Sequence, residues 1–190
     1  MTPPRGPLGG PGRRPLTLPA VIAIGSNLGD REANLRAAVA DIAALDGVVV
    51  TAASGIVESS AVKPDGVDDT APSYLNAVVL VDSAQPPEQL LDSLNRIEAE
   101  HGRVRAVRWG DRTLDLDIVT FGSIEQSTER LVLPHPRASE RAFVIVPWLQ
   151  ADPAATLPGY GAIAGLAAAR SDEVWTFAAA PLSAPAEVFE

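Results

Sequence analysis

The tripeptide Asp115-Leu116-Asp117 places two carboxylates two positions apart inside the run Leu114-Asp115-Leu116-Asp117-Ile118-Val119-Thr120-Phe121. In an extended chain, residues i and i+2 share a face, so the carboxylates lie side by side while Leu114, Leu116 and Ile118 face the other way. Two carboxylates held that close repel unless one is protonated or a cation sits between them. Oxygen donors in a chain with no cysteine and two histidines select magnesium or a similar hard cation over zinc. So short a pattern is also that of a solvated strand face. Its surroundings are what single it out.

Fourteen of the fifteen basic residues are arginine, and eight of them fall between positions 96 and 141: Arg96, Arg103, Arg105, Arg108, Arg112, Arg130, Arg137 and Arg141. Guanidinium forks grip phosphate oxygens in pairs. Arginines set just before a metal-type carboxylate pair are what transfer of a polyphosphate needs, because that chemistry is mostly positioning and charge neutralisation. Further candidates are fewer. His135 stands between Pro134 and Pro136, which restrict the backbone on both sides. Tyr74, Trp109 and Phe143 could stack on a flat ring, although a single aromatic is more often core. Gly25-Ser26-Asn27 reads as a structural turn, since neither G-K-[ST] nor G-x-G-x-x-G accompanies it.

These groups need elements to hold them. Ala20-Val21-Ile22-Ala23-Ile24 is a short apolar run closed by Gly25, the pattern of a buried strand. Leu35, Val39, Ile42 and Leu45 then recur at spacings of four and three, which predicts a helix over 31–45 capped by Asn27 or Asp30. Val48 to Val57 reads as a second strand, Glu58 to Pro72 as a polar loop, and Tyr74 to Val81 as a third strand. Pro86 and Pro87 open a second helix striped by Leu90, Leu91, Leu94 and Ile97, with Gly102 at its end. After an Arg-rich loop, Arg103 to Arg112, the fourth strand carries the aspartates. Strand, helix, strand, strand, helix, strand is the split βαβ order, so the expected fold is α+β, a ferredoxin-like βαββαβ core with an antiparallel sheet. Leu131-Val132-Leu133 adds a short strand. C-terminal helices are expected over Ser139 to Leu149, kinked or ended near Pro147, and over Ile163 to Ala169.

The net charge of −9 excludes an extended polyanion or an anionic membrane as the main partner, since those demand a basic footprint. The 96–141 window holds equal numbers of acids and bases, so the whole −9 lies outside it. A small polyanion carried in with a cation remains compatible with that distribution. Ten of the glycines and prolines crowd into the first 19 residues, which predicts a flexible leader over 1–19, one domain over 20–177 and a disordered tail over 178–190. The absence of cysteine excludes disulfides and thiolate chemistry, and no apolar run is long enough for a membrane span or signal peptide, so a cytoplasmic protein is expected.

Taken together, Ile24-Gly25-Ser26-Asn27-Leu28-Gly29-Asp30, Tyr74-Leu75-Asn76-Ala77, Gly102-Arg103-Val104-Arg105, Arg108-Trp109-Gly110-Asp111-Arg112-Thr113-Leu114-Asp115-Leu116-Asp117-Ile118 and Pro134-His135-Pro136 resemble the 6-hydroxymethyl-7,8-dihydropterin pyrophosphokinases of folate biosynthesis. The likeness runs from about Ala20 to Pro158. It implies magnesium-dependent transfer of the β,γ-pyrophosphate of ATP to the pterin hydroxymethyl group, with release of AMP. By the same resemblance, Asp115 and Asp117 would hold two magnesium ions. Arg103 and Arg112 would grip the phosphates, and Trp109 would close over the site. Glu98, Ile118 (through its backbone), Arg130, His135 and Arg141 would surround the nucleotide. Ser59, Tyr74, Asn76, Trp109 and Phe143 would hold the pterin; the sequence is silent on oligomeric state, and a monomer is the favoured expectation.

Three segments depart from the family pattern, one of them the position after His135, where Pro136 stands in place of an aromatic. The Arg105–Trp109 loop is one residue shorter, and the exit of the second strand reads Val57-Glu58-Ser59-Ser60-Ala61 in place of aromatic-x-Thr-x-Pro, so that Ser59 supplies the hydroxyl and the stiffening prolines are missing. No side chain stands out as acceptor for the hydroxymethyl proton; Asp115 or a metal-bound water could serve. Residue chemistry alone also leaves open another two-metal nucleotidyl or phosphoryl transferase, and a non-catalytic ferredoxin-like ligand-binding module.

Overall fold

The computed structural model describes residues 16–63, 66–68, 71–102 and 112–182. The first apolar run forms β1 (Leu18–Ser26), which begins inside the expected leader. Asp30 accepts a hydrogen bond from the Ala33 amide (3.1 Å) and starts α1 (Arg31–Ala43), whose buried stripe is Leu35, Ala38, Val39 and Ile42. The predicted second strand is interrupted. β2 (Val48–Ala53) stops where Ser54 takes over the ladder, its amide donating to Val78 O and its hydroxyl accepting from the Val78 amide, both at 2.9 Å. β3 (Val57–Ser59) resumes farther along the same neighbour.

The polar loop expected over 58–72 contains structure of its own. Ala61–Lys63 (β4) and Gly66–Asp68 (β5) pair as a hairpin, because Ala61-Val62 and Val67 give each short arm an apolar, β-compatible residue that the Pro- and Asp-rich composition masked. Tyr74–Ser83 follows as β6 and Pro87–Glu100 as α2, with Gly102 at φ +76° just past the helix end. Asp115–Phe121 is β7. Gln126–Ser127 (β8) and Val132–Leu133 (β9) make a small hairpin. Helix α3 (Ala142–Ala151) runs through Pro147 instead of ending there; Val144, Ile145 and Trp148 are buried against the sheet, and that packing outweighs the roughly 3 kcal/mol of an internal proline. Thr156–Leu157 (β10), Gly161–Ala162 (β11), α4 (Ile163–Ala168) and Trp175–Thr176 (β12) complete the described chain.

The main sheet runs β12-β3-β6-β1-β7, with β2 also on β6 and every neighbour antiparallel, which is the expected ferredoxin-like order. Two cores cover its faces. Ile22, Ile24, Val79, Leu116 and Ile118 meet α1 and α2 on one side, while Val21, Val78 and Val119 meet α3 and α4 on the other. A bulge between Val21 and Ile22 makes Val119 the extra residue of β7, so Ile118 and Phe121 both reach the α1/α2 core despite their odd spacing.

The expected tail boundary moves. β12 pairs with β3, Phe177 donates to Ile56 O (3.0 Å), Arg36 donates to the carbonyls of Ala180 (2.7 Å) and Pro181 (3.3 Å), and Leu182 is buried in the α1/α2 core. Residues 178–182 therefore form a strap around the sheet edge, tied by a buried leucine and two captured carbonyls. No helix among the described residues is long and apolar enough to cross a membrane.

Candidate active site

The site lies along one end of the sheet, on the α3 side. Register sets Gly25 of β1 opposite Asn76 of β6 on one flank and Asp115 of β7 on the other, while Ser59 of β3 sits opposite Tyr74. Because side chains alternate, Ser59, Tyr74, Asn76, Asp115 and Asp117 share the face that carries Val78 and Val119. Gly25 keeps the middle of this row low: a Cβ there would stand 3.0 Å from Asn76 Oδ1 and 3.8 Å from the Tyr74 ring. On the buried flank, Asn76 Nδ2 donates to Ser59 Oγ (3.0 Å), which orients the amide.

Charge gathers on the other flank. Arg112 Nη1 reaches Asp115 Oδ1 at 2.5 Å, and Arg141 Nη1 reaches Asp117 Oδ2 at 3.3 Å. His135 Nε2 stands 4.0 Å from the same Asp117 oxygen and 3.4 Å from Arg141 Nη1. Arg141 also lies over the Phe143 ring, 5.5 Å from its centroid, at the first turn of α3. Burial opposes the charge on Arg112, yet the Asp115 carboxylate and its hydrogen bond hold that guanidinium more firmly protonated than usual. Burial pushes the His135 pKa down; Asp117 opposes the shift and Arg141 adds to it.

Each charged group has a support. Asn27 accepts the Arg112 amide through Oδ1 (2.7 Å) and donates its own amide to Arg112 O (3.1 Å). From α1, Asn34 Nδ2 donates to Leu28 O and Thr113 O, each at 3.0 Å, tying the turn after β1 to the approach to β7. His135 is seated by its amide, which donates to Val119 O (2.8 Å) on the outer edge of β7. Buried Glu98 of α2 accepts the Leu116 amide (2.8 Å) on that strand.

The model of the 7,8-dihydro-6-hydroxymethylpterin-pyrophosphokinase (HPPK) family matches residues 21–153. The chain belongs to that family. Among curated relatives, the 2-amino-4-hydroxy-6-hydroxymethyldihydropteridine pyrophosphokinase of Bacillus subtilis is 47% identical over 128 residues, 67% of this chain and 74% of its own length. That of Haemophilus influenzae is 45% identical over 128 residues, 67% and 78% of the two chains. That of Methylorubrum extorquens is 40% identical over 140 residues, 74% and 86%. A solved Plasmodium falciparum HPPK-DHPS with pterin and p-hydroxybenzoate is similar in fold, with TM-score 0.59 and 16% identity over 87% of this chain. The present chain spans 46% of that longer protein.

With an HPPK fold established, the expected residues sort by position. Arg112 contacts Asp115, Arg141 contacts Asp117, His135 and Phe143, and Ser59, Tyr74 and Asn76 line the neighbouring strands. The Ile118 side chain is buried in the α1/α2 core, which leaves its backbone for any ligand. Arg130 is engaged elsewhere, by Asp92 and, at 3.6 Å, by Glu88 on α2. Arg103 and Trp109, like Arg105 and Arg108, fall outside the described residues. Sequence reasoning missed Gly25 as the floor and Asn27 and Asn34 as supports. Asn27 and Arg112 are 85 positions apart, so no local pattern links them; the side-chain amide directly after a Gly-Ser turn was the available signal.

Proposed function

We propose that this chain transfers the terminal diphosphate of ATP to the hydroxymethyl group of 6-hydroxymethyl-7,8-dihydropterin, a step of folate biosynthesis. A bond forms between the hydroxymethyl oxygen and the β-phosphorus, the bond between the β-phosphorus and its bridging oxygen to the α-phosphate breaks, and AMP leaves. The hydroxyl proton departs with the attack, and no side chain is assigned as its acceptor. The observation that carries this reading is the single row from Ser59 and Asn76 to Asp115 and Asp117, neutral hydrogen-bonding groups at one end and paired charges at the other.

Asp115 and Asp117 fit a hard cation. They present oxygen donors on one strand face, the donor type that magnesium takes when it arrives with a triphosphate and keeps water in its shell. Two ions there would neutralise phosphate charge and align the attacking and leaving oxygens. Binding would transfer the carboxylates from Arg112 and Arg141 to the ions and free both guanidinium groups for phosphate oxygens. His135 and Glu98 frame the nucleotide side, joined in the proposal by Arg103, Arg130 and the backbone of Ile118. On the pterin side Asn76, oriented by Ser59, would meet the donor and acceptor edge of the ring, between Tyr74 and Phe143, with Trp109 closing over it.

Incubation of the purified protein with magnesium, ATP and the hydroxymethyl-dihydropterin should yield AMP. Release of ADP, or no turnover by folded protein, would overturn the proposal.

A further inference from the structure

Behind the pterin end of the row, on the opposite face of the sheet, lies an ion pair that touches none of the expected ligand contacts. Arg31, the first residue of α1, donates from Nη1 to Glu58 Oε1 (2.9 Å), to Ser73 O (2.8 Å) and to Ser73 Oγ (2.8 Å). The Ser73 hydroxyl in turn donates to Glu58 Oε1 (2.5 Å). One carboxylate oxygen thus gathers three segments: the start of α1, the middle of β3 and the residue before β6.

Those segments carry the pterin side. Glu58 precedes Ser59, Ser73 precedes Tyr74, and Ser59 and Tyr74 are register partners. Strand alternation turns Glu58 away from the face that holds Ser59 and Asn76, so it supports that face from behind. β3 needs the support. It is three residues long, and its outer neighbour β12 contributes only two pairs. Hydrogen bonds from Ser73 and Arg31 hold the Glu58 carboxyl below the usual carboxylate range, which agrees with a charge engaged in the folded state.

We propose that Glu58, clamped by Arg31 and Ser73, is a positioning residue for the pterin: it holds β3 against β6 so that Ser59 keeps the Asn76 amide oriented. The inference rests on the pterin assignment made above. It assigns Glu58 no contact with substrate and no effect on the aspartate end of the row.

The test is steady-state kinetics on Glu58→Ala, on Glu58→Gln, and on the exchanged pair Arg31→Glu/Glu58→Arg, together with amide hydrogen exchange. Losing a charge-assisted hydrogen bond of this kind should raise the pterin KM roughly ten-fold in Glu58→Ala while the ATP KM stays within about two-fold. The exchanged pair should recover most of the loss. Exchange at 57–59 and 74–76 should speed up, with the amides of β7 unchanged. Equal changes in both KM values, or no change in either, would overturn the proposal. Should Glu58→Ala fail to fold, Glu58→Gln keeps the shape, removes the charge and is held to the same criteria. If the unaltered protein makes no AMP, the functional reading fails separately, and the exchange pattern alone decides whether Glu58 holds β3 to β6.

Discussion

The two ends of the site are built on opposite principles. At the β7 end the facing groups are charged, and each is matched by a charge of the site itself: Arg112 with Asp115, Arg141 with Asp117. At the β3–β6 end the facing groups are the neutral Ser59, Tyr74 and Asn76, and the ion pair of Arg31 and Glu58 sits on the reverse side of the sheet. A polyanion with its cations demands charges that can exchange partners. A flat, neutral heterocycle demands dipoles that are already fixed. On the proposed function, the charged end is therefore a store of interchangeable ion pairs, and the neutral end is a preformed surface.

The sharpest way to break the contrast is Asp117→Ala. Loss of a group that neutralises transition-state charge should lower AMP formation by about 10³-fold or more. The melting temperature should move little, because Asp117 is 41% exposed and its ion pair with Arg141 is partly screened by solvent. A large stability loss with modest loss of rate would make the pair structural and dissolve the distinction.

Asn76→Ala attacks the preformed end. It removes a buried donor and strands the Ser59 hydroxyl, so kcat/KM for the pterin should fall roughly 10- to 100-fold and stability by about 1–3 kcal/mol, measured by assay and denaturant titration. The two ends differ if Asn76→Ala costs stability and Asp117→Ala does not.

A third comparison uses pH. Because the folded-state pKa of His135 is lowered, the unfolded chain binds the extra proton first as pH falls below the ordinary imidazole value of about 6.5. Stability should therefore decline from that value downward, and His135→Gln should flatten this part of the curve in denaturation series run between about pH 8 and about pH 5. The lowered Glu58 pKa acts in the same direction but begins to act only below the usual carboxylate value, so the decline starts at a different pH for each end.

The smallest effect is expected where neither end is touched. Deleting residues from Ala178 onward removes the burial of Leu182 and the carbonyls bound by Arg36. It should lower the melting temperature by roughly 5 °C through loss of about 1–2 kcal/mol, with both KM values unchanged.

Much of this was legible in the residues. The apolar spacing of α1 and α2 and the alternation of Asp115-Leu116-Asp117 followed directly from helix and strand periodicity. Three features were not legible, each for a physical reason. Ser54 continues the ladder through its side chain, which no propensity scale registers. Pro147 is carried by the burial of Val144, Ile145 and Trp148, a tertiary effect that overrides local preference. The strap over 178–182 is held by Arg36, about 144 positions away in sequence, and its Ala/Pro composition resembles that of a free tail. Asn76 could be singled out through the family resemblance, whereas its dependence on Ser59, and of Ser59 on Glu58, required the fold.

β7 is the last strand on its side of the sheet, and two of its outward-facing backbone groups are occupied by residues proposed to frame the nucleotide: the Leu116 amide by Glu98 and the Val119 carbonyl by the His135 amide. An exposed strand edge is a template on which another chain can pair. The groups proposed to frame ATP thus also satisfy the outer edge of β7. A variant that loses Glu98 would leave the Leu116 amide buried without its acceptor, a cost of about 1–3 kcal/mol felt at the edge strand as much as at the site.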